Sequence, residues 1–381
     1  MRSIFDGKFS RSFLIVGVSA IVTFALLMTT LAGVPLSWGI GALIDNIGGE
    51  EPVENSDGGN KNPSSKPTGG QVTVNTKYLY SADGDTKDIS SDGDIQSGAM
   101  VLVDTTDGRV VAGKSMDTRI YPASMTKVMT LLLGCEYAKK DDALLTITEE
   151  MVAKYNQPEN KGASVAKTWA AGEQIKVIDV LNLVIYESDT YACWLIAEHV
   201  AGSEEAFVEL MNKKAQSMGL TNTNFTNSTG LFNTNHYTTC REMAAIMAAA
   251  MANEKAKTVL TNNHQYSVDV YKNGKKDEEA SIAVWSGWYT GRLEKYRWGA
   301  AGAPWAGNGS DIKIISGKTG YEDIPTACFV TAATDTETGR NYVCVQVGRI
   351  DSNQGKIDSK ISTDDTRLMY QKYAVEKEET E

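Results

Sequence analysis

The stretch Tyr121-Pro-Ala-Ser-Met-Thr-Lys-Val-Met-Thr130 opens a helix that the sequence predicts from Ser124 to Lys140. Apolar side chains lie on nearly every face of this helix: Met125, Val128, Met129, Leu131, Leu132 and Leu133. A helix that is apolar all round packs inside its domain. We therefore expect this helix to be central and buried.

A serine and a lysine three positions apart can form a nucleophile and base, but the spacing recurs in this chain. It is found at Ser124/Lys127, Ser164/Lys167 and Ser310/Lys313. Only the first pair begins a buried helix, where positions i and i+3 share a face. The second pair lies in an irregular stretch, and the third runs from a loop into a strand, whose alternate side chains point to opposite faces. Position therefore favours the first pair.

The placement of Ser124 and Lys127 suits nucleophilic catalysis. Unpaired backbone N–H groups at a helix start can stabilise an oxyanion. Lysine must be neutral to act as a base, and lowering its pKa from about 10.4 to about 7 costs roughly 4–5 kcal/mol. Burial and a second nearby cation could supply that shift. The alternative interpretation makes Ser124 a helix cap and Lys127 a surface charge.

A second candidate motif, Lys318-Thr319-Gly320, occurs once, directly after a predicted strand over Ile312–Ser316. A lysine and a hydroxyl at a strand end can bind a carboxylate, and a glycine lets a substrate backbone approach closely. The alternative interpretation is a simple turn.

The order of predicted elements indicates the fold class. A strand hairpin starts near Ser97 and turns at Asp107-Gly108. Four helices follow that of Ser124, at about 175–186, 190–201, 204–218 and 239–252, and strands return at 312–316, 326–333 and 342–347. Strands, a helical block and strands again predict an α/β (α+β) fold in which one sheet is assembled from both ends of the domain, with a helical subdomain inserted.

The N-terminal segment 1–45 predicts a membrane anchor. An uncharged stretch from Ser12 to Ile44 follows Arg2, Lys8 and Arg11. It exceeds the roughly 20 apolar residues that span a bilayer, and basic residues before it favour a cytoplasmic N-terminus. We expect a single-pass cell-membrane protein with its folded domain outside the cytoplasm. The alternative is a secreted protein, cleaved near Ala32 as a signal peptide.

Composition divides the rest of the chain. Segment 46–96 is rich in Gly, Ser, Pro, Asn and Asp, which predicts a flexible acidic linker. Residues 97–376 form the predicted folded domain, and 377–381 a charged tail. A further segment within the domain, residues 285–305, holds four tryptophans and reads as an insertion or a partner surface.

Charge and residue counts exclude several classes of function. A net charge of −11 works against nucleic-acid binding. Three histidines and five cysteines, without a C-x-x-C pair or an H-E-x-x-H motif, predict no metal site and no cofactor. We expect the cysteines to be buried small apolar residues rather than disulfides.

Taken together, these motifs resemble those of the serine penicillin-binding proteins and β-lactamases, in which S-x-x-K, S-x-N and K-T-G occur in this order. Several short stretches of sequence are similar to those of the D-Ala-D-Ala carboxypeptidase family of low-molecular-mass penicillin-binding proteins. The similar stretches are Tyr121–Thr130, Ala197–Phe207, Thr226–Leu231, His236-Tyr-Thr-Thr239 and Gly317–Tyr321. The resemblance implies a DD-peptidase/β-lactamase fold, an antiparallel sheet flanked by helices with a mostly helical subdomain.

The resemblance also implies catalytic roles. Ser124 would be the acylated nucleophile, Lys127 its general base, and Ser188 a proton relay from the middle motif. The substrate would be a peptidoglycan stem peptide ending in D-Ala-D-Ala, and β-lactams would be covalent inhibitors.

Substrate binding is implied for the strand motif. Lys318 and Thr319 would hold the terminal carboxylate, and Gly320 would allow close approach. The backbone N–H groups of Ser124 and Tyr321 would form the oxyanion hole.

One departure concerns the middle motif, which here reads Ser188-Asp189-Thr190. Threonine offers one hydroxyl on a short side chain where asparagine offers an amide acceptor and two donors. This places in doubt both the binding of the substrate amide by Thr190 and the positioning of Lys127. We expect slower or narrower activity.

Three other functions remain open at this point. A DD-endopeptidase would use the same residues. A catalytically silent wall-binding module would explain the Thr190 change, although Ser124, Lys127 and Lys318 are retained. A β-lactamase of class A would need a further glutamate, and no E-x-x-L-N follows Ser188.

Overall fold

The computed structural model describes residues 74–160, 163–262, 265–284, 312–322, 326–350 and 359–374. The predicted anchor 1–45, linker residues 46–73, the tryptophan segment 285–305 and the tail 377–381 lie outside the described residues. Among the residues described, no helix combines the length and apolar character needed to cross a bilayer.

The described part of the chain forms strands and α-helices that we number in chain order. The strands are β1 Lys87–Asp88, β2 Ala99–Asp104, β3 Arg109–Lys114, β4 Leu144–Thr146, β5 Glu173–Lys176, β6 Tyr266–Lys272, β7 Lys275–Val284, β8 Ile312–Glu322, β9 Thr326–Asp335 and β10 Asn341–Val347. The helices are α1 Lys127–Tyr137, α2 Glu149–Tyr155, α3 Val177–Tyr186, α4 Thr190–Ala201, α5 Glu204–Ser217, α6 Cys240–Ala252, α7 Glu254–Thr261 and α8 Ser359–Tyr373. A short 3-10 helix, Ala123–Thr126, leads directly into α1.

The larger sheet joins the two ends of the domain, as the element order predicts. Its described strands run β1-β3-β2-β10-β9-β8, and every pair except β1 with β3 is antiparallel. Strand β2 pairs with β10 from Ala99↔Val347 to Asp104↔Tyr342. Strand β8, which carries the Lys-Thr-Gly motif, lies at one edge of this sheet among the described strands.

Helix α1 is central and buried, as its apolar sequence predicts. It packs against α3, α4, α5, α6 and α7. All its residues from Lys127 to Gly134 are buried. Because this helix is fixed from several sides, its first turn is held rigidly, and Ser124 lies in the 3-10 turn just before it.

Both faces of the larger sheet are covered. Every residue of β2 is buried, as expected for a strand enclosed on both sides. Met100 and Leu102 pack with Met369 and Tyr370 of α8. Helix α6 packs against β2, β9 and β10. Helix α8 was absent from the sequence prediction.

A second sheet, of order β4-β5-β6-β7, was also not predicted. Its hairpin β6–β7 turns at Asn273-Gly274, both at positive φ, the pair that two-residue hairpins favour. Strand β7 has mainly exposed or half-buried residues, so it lacks the apolar alternation that identifies a strand in sequence.

The predicted linker boundary at residue 96 is wrong, because residues 74–96 pack onto the domain. Strand β1 pairs with β3, and Ile89 and Ile95 are 1% and 4% exposed within the core. The polar composition of this segment predicts a linker, although two of its isoleucines are buried and its C-terminal end is bound by a carboxylate of α8. We call this carboxylate contact the clamp. In that clamp, Asp365 of α8 accepts hydrogen bonds from the backbone N–H groups of Gln96 and Ser97, at 3.1 and 2.7 Å.

We predict that Asp365→Ala lowers the free energy of unfolding by about 3 kcal/mol, because Asp365 is 1% exposed and its loss leaves buried donors unpaired. For a domain of this size the melting temperature should fall by about 6–12 °C. The matched control is Asp364→Ala, whose half-exposed carboxylate pairs with Lys360 at 2.6 Å and should cost less than about 1 kcal/mol. Equal melting temperatures for the two variants would contradict the claim that the Asp365 carboxylate stabilises the domain by binding residues 96 and 97.

Candidate active site

Ser124 lies in a tight turn held between two glycines. The turn begins at Ala123, whose φ is +48°. Gly320 of β8 lies beneath it, where an added Cβ would approach 2.6 Å from Cys328 Sγ and 3.1 Å from Ala123 Cβ. Gly230, at φ +82°, lies so close that an added Cβ would overlap the Ala123 carbonyl. Only glycine fits at these two positions, and together they fix the backbone that presents Ser124.

Lys127 lies beneath Ser124, on the first turn of α1. Its Nζ donates to Ser124 Oγ at 3.3 Å and to the Thr229 carbonyl at 2.6 Å. The residue is only 2% exposed. Burial lowers the pKa of Lys127, and nearby carboxylates including Asp189 act in the opposite direction. The structure therefore favours a lysine that gives up its proton more readily than a surface lysine.

Ser188 lies at the corner between α3 and α4, where its φ of +56° forces the chain to turn sharply. Lys318 Nζ donates to Ser188 Oγ at 3.1 Å and to the Thr319 carbonyl at 2.9 Å. Lys318 is 2% exposed. The structure thus joins the middle motif to the strand motif through a direct hydrogen bond.

Asp189 fixes the start of α4 and was not among the predicted site residues. Its carboxylate accepts from the backbone N–H of Ala192 at 2.9 Å and of Ala166 at 2.7 Å, and from Trp169 Nε1 at 2.8 Å. Burial raises the pKa of Asp189, while these hydrogen bonds and Lys127 oppose that rise. An Asp directly before a helix is an N-cap signal, which could have identified this residue from sequence.

Thr190 occupies the first position of α4 and is 1% exposed. Its backbone N–H donates to the Ser164 carbonyl at 2.9 Å.

The second Ser-x-x-Lys pair is separated in its contacts. Ser164 is exposed, and Lys167 pairs with Glu173 at 2.7 Å. The Ser164/Lys167 pair therefore does not form a site.

Two other residues of the strand motif differ in exposure. Thr319 is half-buried, while Tyr321 is 61% exposed. Tyr121, three residues before Ser124, forms an edge-to-face pair with Phe232, and their ring centroids are 4.9 Å apart. The Ser310 of the third Ser-x-x-Lys pair lies outside the described residues.

His236 supports the site as a neutral side chain. Its Nδ1 accepts from the Thr226 backbone N–H at 3.2 Å, so Nε2 carries the proton and donates to Thr126 Oγ1 at 2.8 Å. Burial, together with the nearby Lys127, lowers the pKa of His236 to about 4. A neutral donor in this position holds the Ser124 turn without competing as a base.

Cysteines lie in and around the site as thiols. Cys193 of α4 is electrostatically coupled to Lys127, and burial raises its pKa to about 12, which keeps the thiol neutral. None of the five cysteines, all of which lie in the described residues, forms a disulfide, and all but the half-buried Cys135 are buried. Among the described residues, no group of His, Cys, Asp and Glu is arranged to hold a metal ion.

Comparisons with known proteins agree with this geometry. Residues 85–347 match the family model described as D-alanyl-D-alanine carboxypeptidase. The chain is 34% identical over 165 residues to D-alanyl-D-alanine carboxypeptidase DacF of Bacillus subtilis, covering 43% of this chain and 41% of that one. It is 30% identical over 162 residues to D-alanyl-D-alanine endopeptidase of Escherichia coli, covering 42% and 49%. These matches span less than half of each relative's length.

Solved structures share the fold. The Streptomyces K15 DD-transpeptidase matches with a TM-score of 0.59 and 22% identity, covering 74% of this chain and 98% of that one. Penicillin binding protein 5 from Haemophilus influenzae matches with a TM-score of 0.55 and 24% identity, covering 73% and 70%. The predicted α+β DD-peptidase fold is confirmed by these matches, and with the family match over 85–347 the chain belongs to the D-alanyl-D-alanine carboxypeptidase family.

Proposed function

We propose that the protein is a penicillin-binding serine D-alanyl-D-alanine carboxypeptidase that removes the terminal D-Ala from peptidoglycan stem pentapeptides through a Ser124 acyl-enzyme. The observation that carries this proposal is the pair of hydrogen bonds at the site. Lys127 reaches Ser124 Oγ at 3.3 Å, and Lys318 reaches Ser188 Oγ at 3.1 Å. A nucleophile with a buried base, beside a second serine with its own cation, supplies the groups that acyl transfer needs.

Acylation begins with Lys127 as general base. Neutral Lys127 takes the proton of Ser124 Oγ–H, and the oxygen attacks the carbonyl carbon of the penultimate D-Ala. Burial of Lys127 supports this role, because it disfavours the ammonium form. The C–N bond to the terminal D-Ala then breaks, and Ser188 Oγ–H gives its proton to the leaving nitrogen and takes the proton now on Lys127, while Lys318 orients that hydroxyl.

Charge stabilisation comes from strand β8 and the Ser124 turn. Lys318 and the Thr319 hydroxyl bind the substrate's terminal carboxylate, which a cation and a hydroxyl together recognise well. The backbone N–H groups of Ser124 and Tyr321 stabilise the oxyanion. Gly320 keeps the approach open. Among the described strands β8 lies at one edge of the sheet, which supports this arrangement because an edge strand can pair with an extended peptide.

Deacylation completes the cycle when water attacks the Ser124 ester and releases the shortened stem. A β-lactam reacts by the same first step, because Ser124 opens its ring and forms a covalent adduct. The same residues would also serve a DD-endopeptidase, and the similarity to a D-alanyl-D-alanine endopeptidase favours keeping this as the second candidate.

Membrane attachment is part of the proposal. The uncharged stretch from Ser12 to Ile44, preceded by basic residues, is long enough to span a bilayer. We infer a single-pass anchor with the catalytic domain outside the cytoplasm, where stem peptides are found. Secretion after cleavage near Ala32 is the alternative.

The central prediction concerns the product. Incubation of the full chain with a stem pentapeptide ending in D-Ala-D-Ala should remove one alanine, measured by mass spectrometry. Ser124→Ala should lower the rate by more than about 10⁴-fold, because the acyl-enzyme cannot form. A crosslinked stem dimer serves as the second substrate. Cleavage of the dimer alone would indicate the endopeptidase, and cleavage of neither would contradict the proposed function.

The pH dependence should report Lys127. We predict that acylation by a fluorescent penicillin rises with pH through the pKa of Lys127, which burial sets below lysine's usual range. Only the neutral amine accepts the Ser124 proton, so activity is lost as pH falls through that pKa. The titratable groups that interact with Lys127 are Cys193, Asp189, Glu322, Glu204 and His236. An acid limb near pH 4 would indicate His236 instead, since burial places its pKa there.

Thr190 should limit the rate. We predict that Thr190→Asn raises kcat/KM on the pentapeptide by about 2–10-fold, the worth of roughly one added hydrogen bond. Thr190→Val, which keeps the shape and removes the hydroxyl, should lower kcat/KM by a similar factor, while Thr190→Ser should retain activity. If all three variants matched the parent, the proposed role of position 190 would be wrong.

A further inference from the structure

The contact between Lys127 and the Thr229 carbonyl goes beyond the motifs identified in the sequence. The Lys127 Nζ lies 2.6 Å from this carbonyl oxygen, closer than its 3.3 Å distance to Ser124 Oγ. A neutral amine has two N–H groups and one lone pair. Once one N–H donates to a fixed carbonyl, the lone pair is restricted to a few directions, and Ser124 Oγ lies 3.3 Å from the same nitrogen.

The Thr229 carbonyl is fixed by Asn227. Asn227 Oδ1 accepts from the backbone N–H of Gly230 at 2.7 Å, and from the backbone N–H and the hydroxyl of Thr229 at 3.2 and 3.1 Å. Asn227 Nδ2 donates to the Leu231 carbonyl at 2.9 Å. One side chain therefore determines how the peptide groups of this turn, residues 227–231, are oriented.

The residue before Thr229 in this turn, Ser228, is hydrogen-bonded to two helices of the domain. The Ser228 carbonyl accepts from Thr130 Oγ1 of α1 at 2.6 Å. Glu204 of α5 accepts from the Ser228 backbone N–H at 2.9 Å and from its hydroxyl at 2.6 Å. Lys127 and Thr130, three positions apart on α1, thus donate to consecutive carbonyls of the turn. This arrangement sets the distance between the turn and the base.

We propose that Asn227 is a positioning residue for the general base: it holds the Thr229 carbonyl as the acceptor that directs the Lys127 amine at Ser124. The proposal rests on the proposed role of Lys127 as base. It also explains how Lys127 is oriented in a chain that carries Thr190, with its single hydroxyl, in the middle motif. Asn227 touches neither the substrate nor the reacting atoms in this role.

The test measures acylation of the full chain by a fluorescent penicillin as a function of pH. Asn227→Ala should lower the plateau rate by about 100-fold, the usual cost of misplacing a reacting group by about 1 Å. Its acid limb should also move to lower pH, because a lost carbonyl acceptor no longer favours the charged lysine. Asn227→Asp keeps the acceptor oxygen, so its plateau should stay within about threefold of the parent.

The matched control is Asn224→Ala in the same loop. The Asn224 amide donates to the Asn235 carbonyl at 2.6 Å, outside the turn that contacts Lys127, so both plateau and acid limb should match the parent. Thr130→Val tests the turn independently if Asn227→Ala does not fold. It removes only the donor to the Ser228 carbonyl, and a smaller loss, about 10-fold, with a limb shift in the same direction is expected.

Two results would overturn the proposal. The first is parental acylation and a parental acid limb in Asn227→Ala. The second is a lower plateau with an unshifted limb that Asn227→Asp does not restore, which indicates a purely structural residue. Failure of the parent itself to be acylated would instead refute the proposed function, and the proposal for Asn227 with it.

Discussion

The site depends on a lysine kept out of water. Lys127 is 2% exposed at the start of a helix that is packed from several sides, and an ammonium group in such a place is costly unless polar partners surround it. Those partners are the Ser124 hydroxyl and the Thr229 carbonyl, with the Asp189 carboxylate nearby. The balance between burial and these partners sets how easily the lysine gives up its proton.

Backbone strain is found at two residues of the candidate site. Ala123 and Ser188, neither a glycine, adopt positive φ on the two sides of the site, a conformation that costs about 1–3 kcal/mol each. Gly230 and Gly320 let neighbouring backbone press against the Ser124 turn so closely that it has no room to relax. Packing holds this strain in place, so the backbone at both serines is ordered in advance, which would reduce the ordering that the proposed reaction needs.

The polar network around the site includes residues outside the three sequence motifs. His236 is held neutral and donates to Thr126, Asp189 caps α4, and Asn227 orders the turn that meets Lys127. None of these side chains needs to react. Each satisfies backbone groups that burial of the site would otherwise leave unpaired, and an unpaired buried group costs about 1–3 kcal/mol. A buried lysine in the proposed role of base therefore requires hydrogen bonds among residues well beyond the reacting groups.

The sequence by itself determined the central helix, the sheet built from both ends of the domain and the pairing of Ser124 with Lys127, because apolar periodicity and i to i+3 spacing are local properties. Tertiary structure alone decided that Lys318 meets Ser188, which lies 130 positions away, and that Thr229 meets Lys127, 102 positions away. It also brought Ile89, Ile95 and helix α8 into the core, although the segment around those isoleucines reads as a polar linker. Such contacts depend on which surfaces the packed elements bring together. No local pattern in the sequence encodes contacts between residues so far apart in the chain.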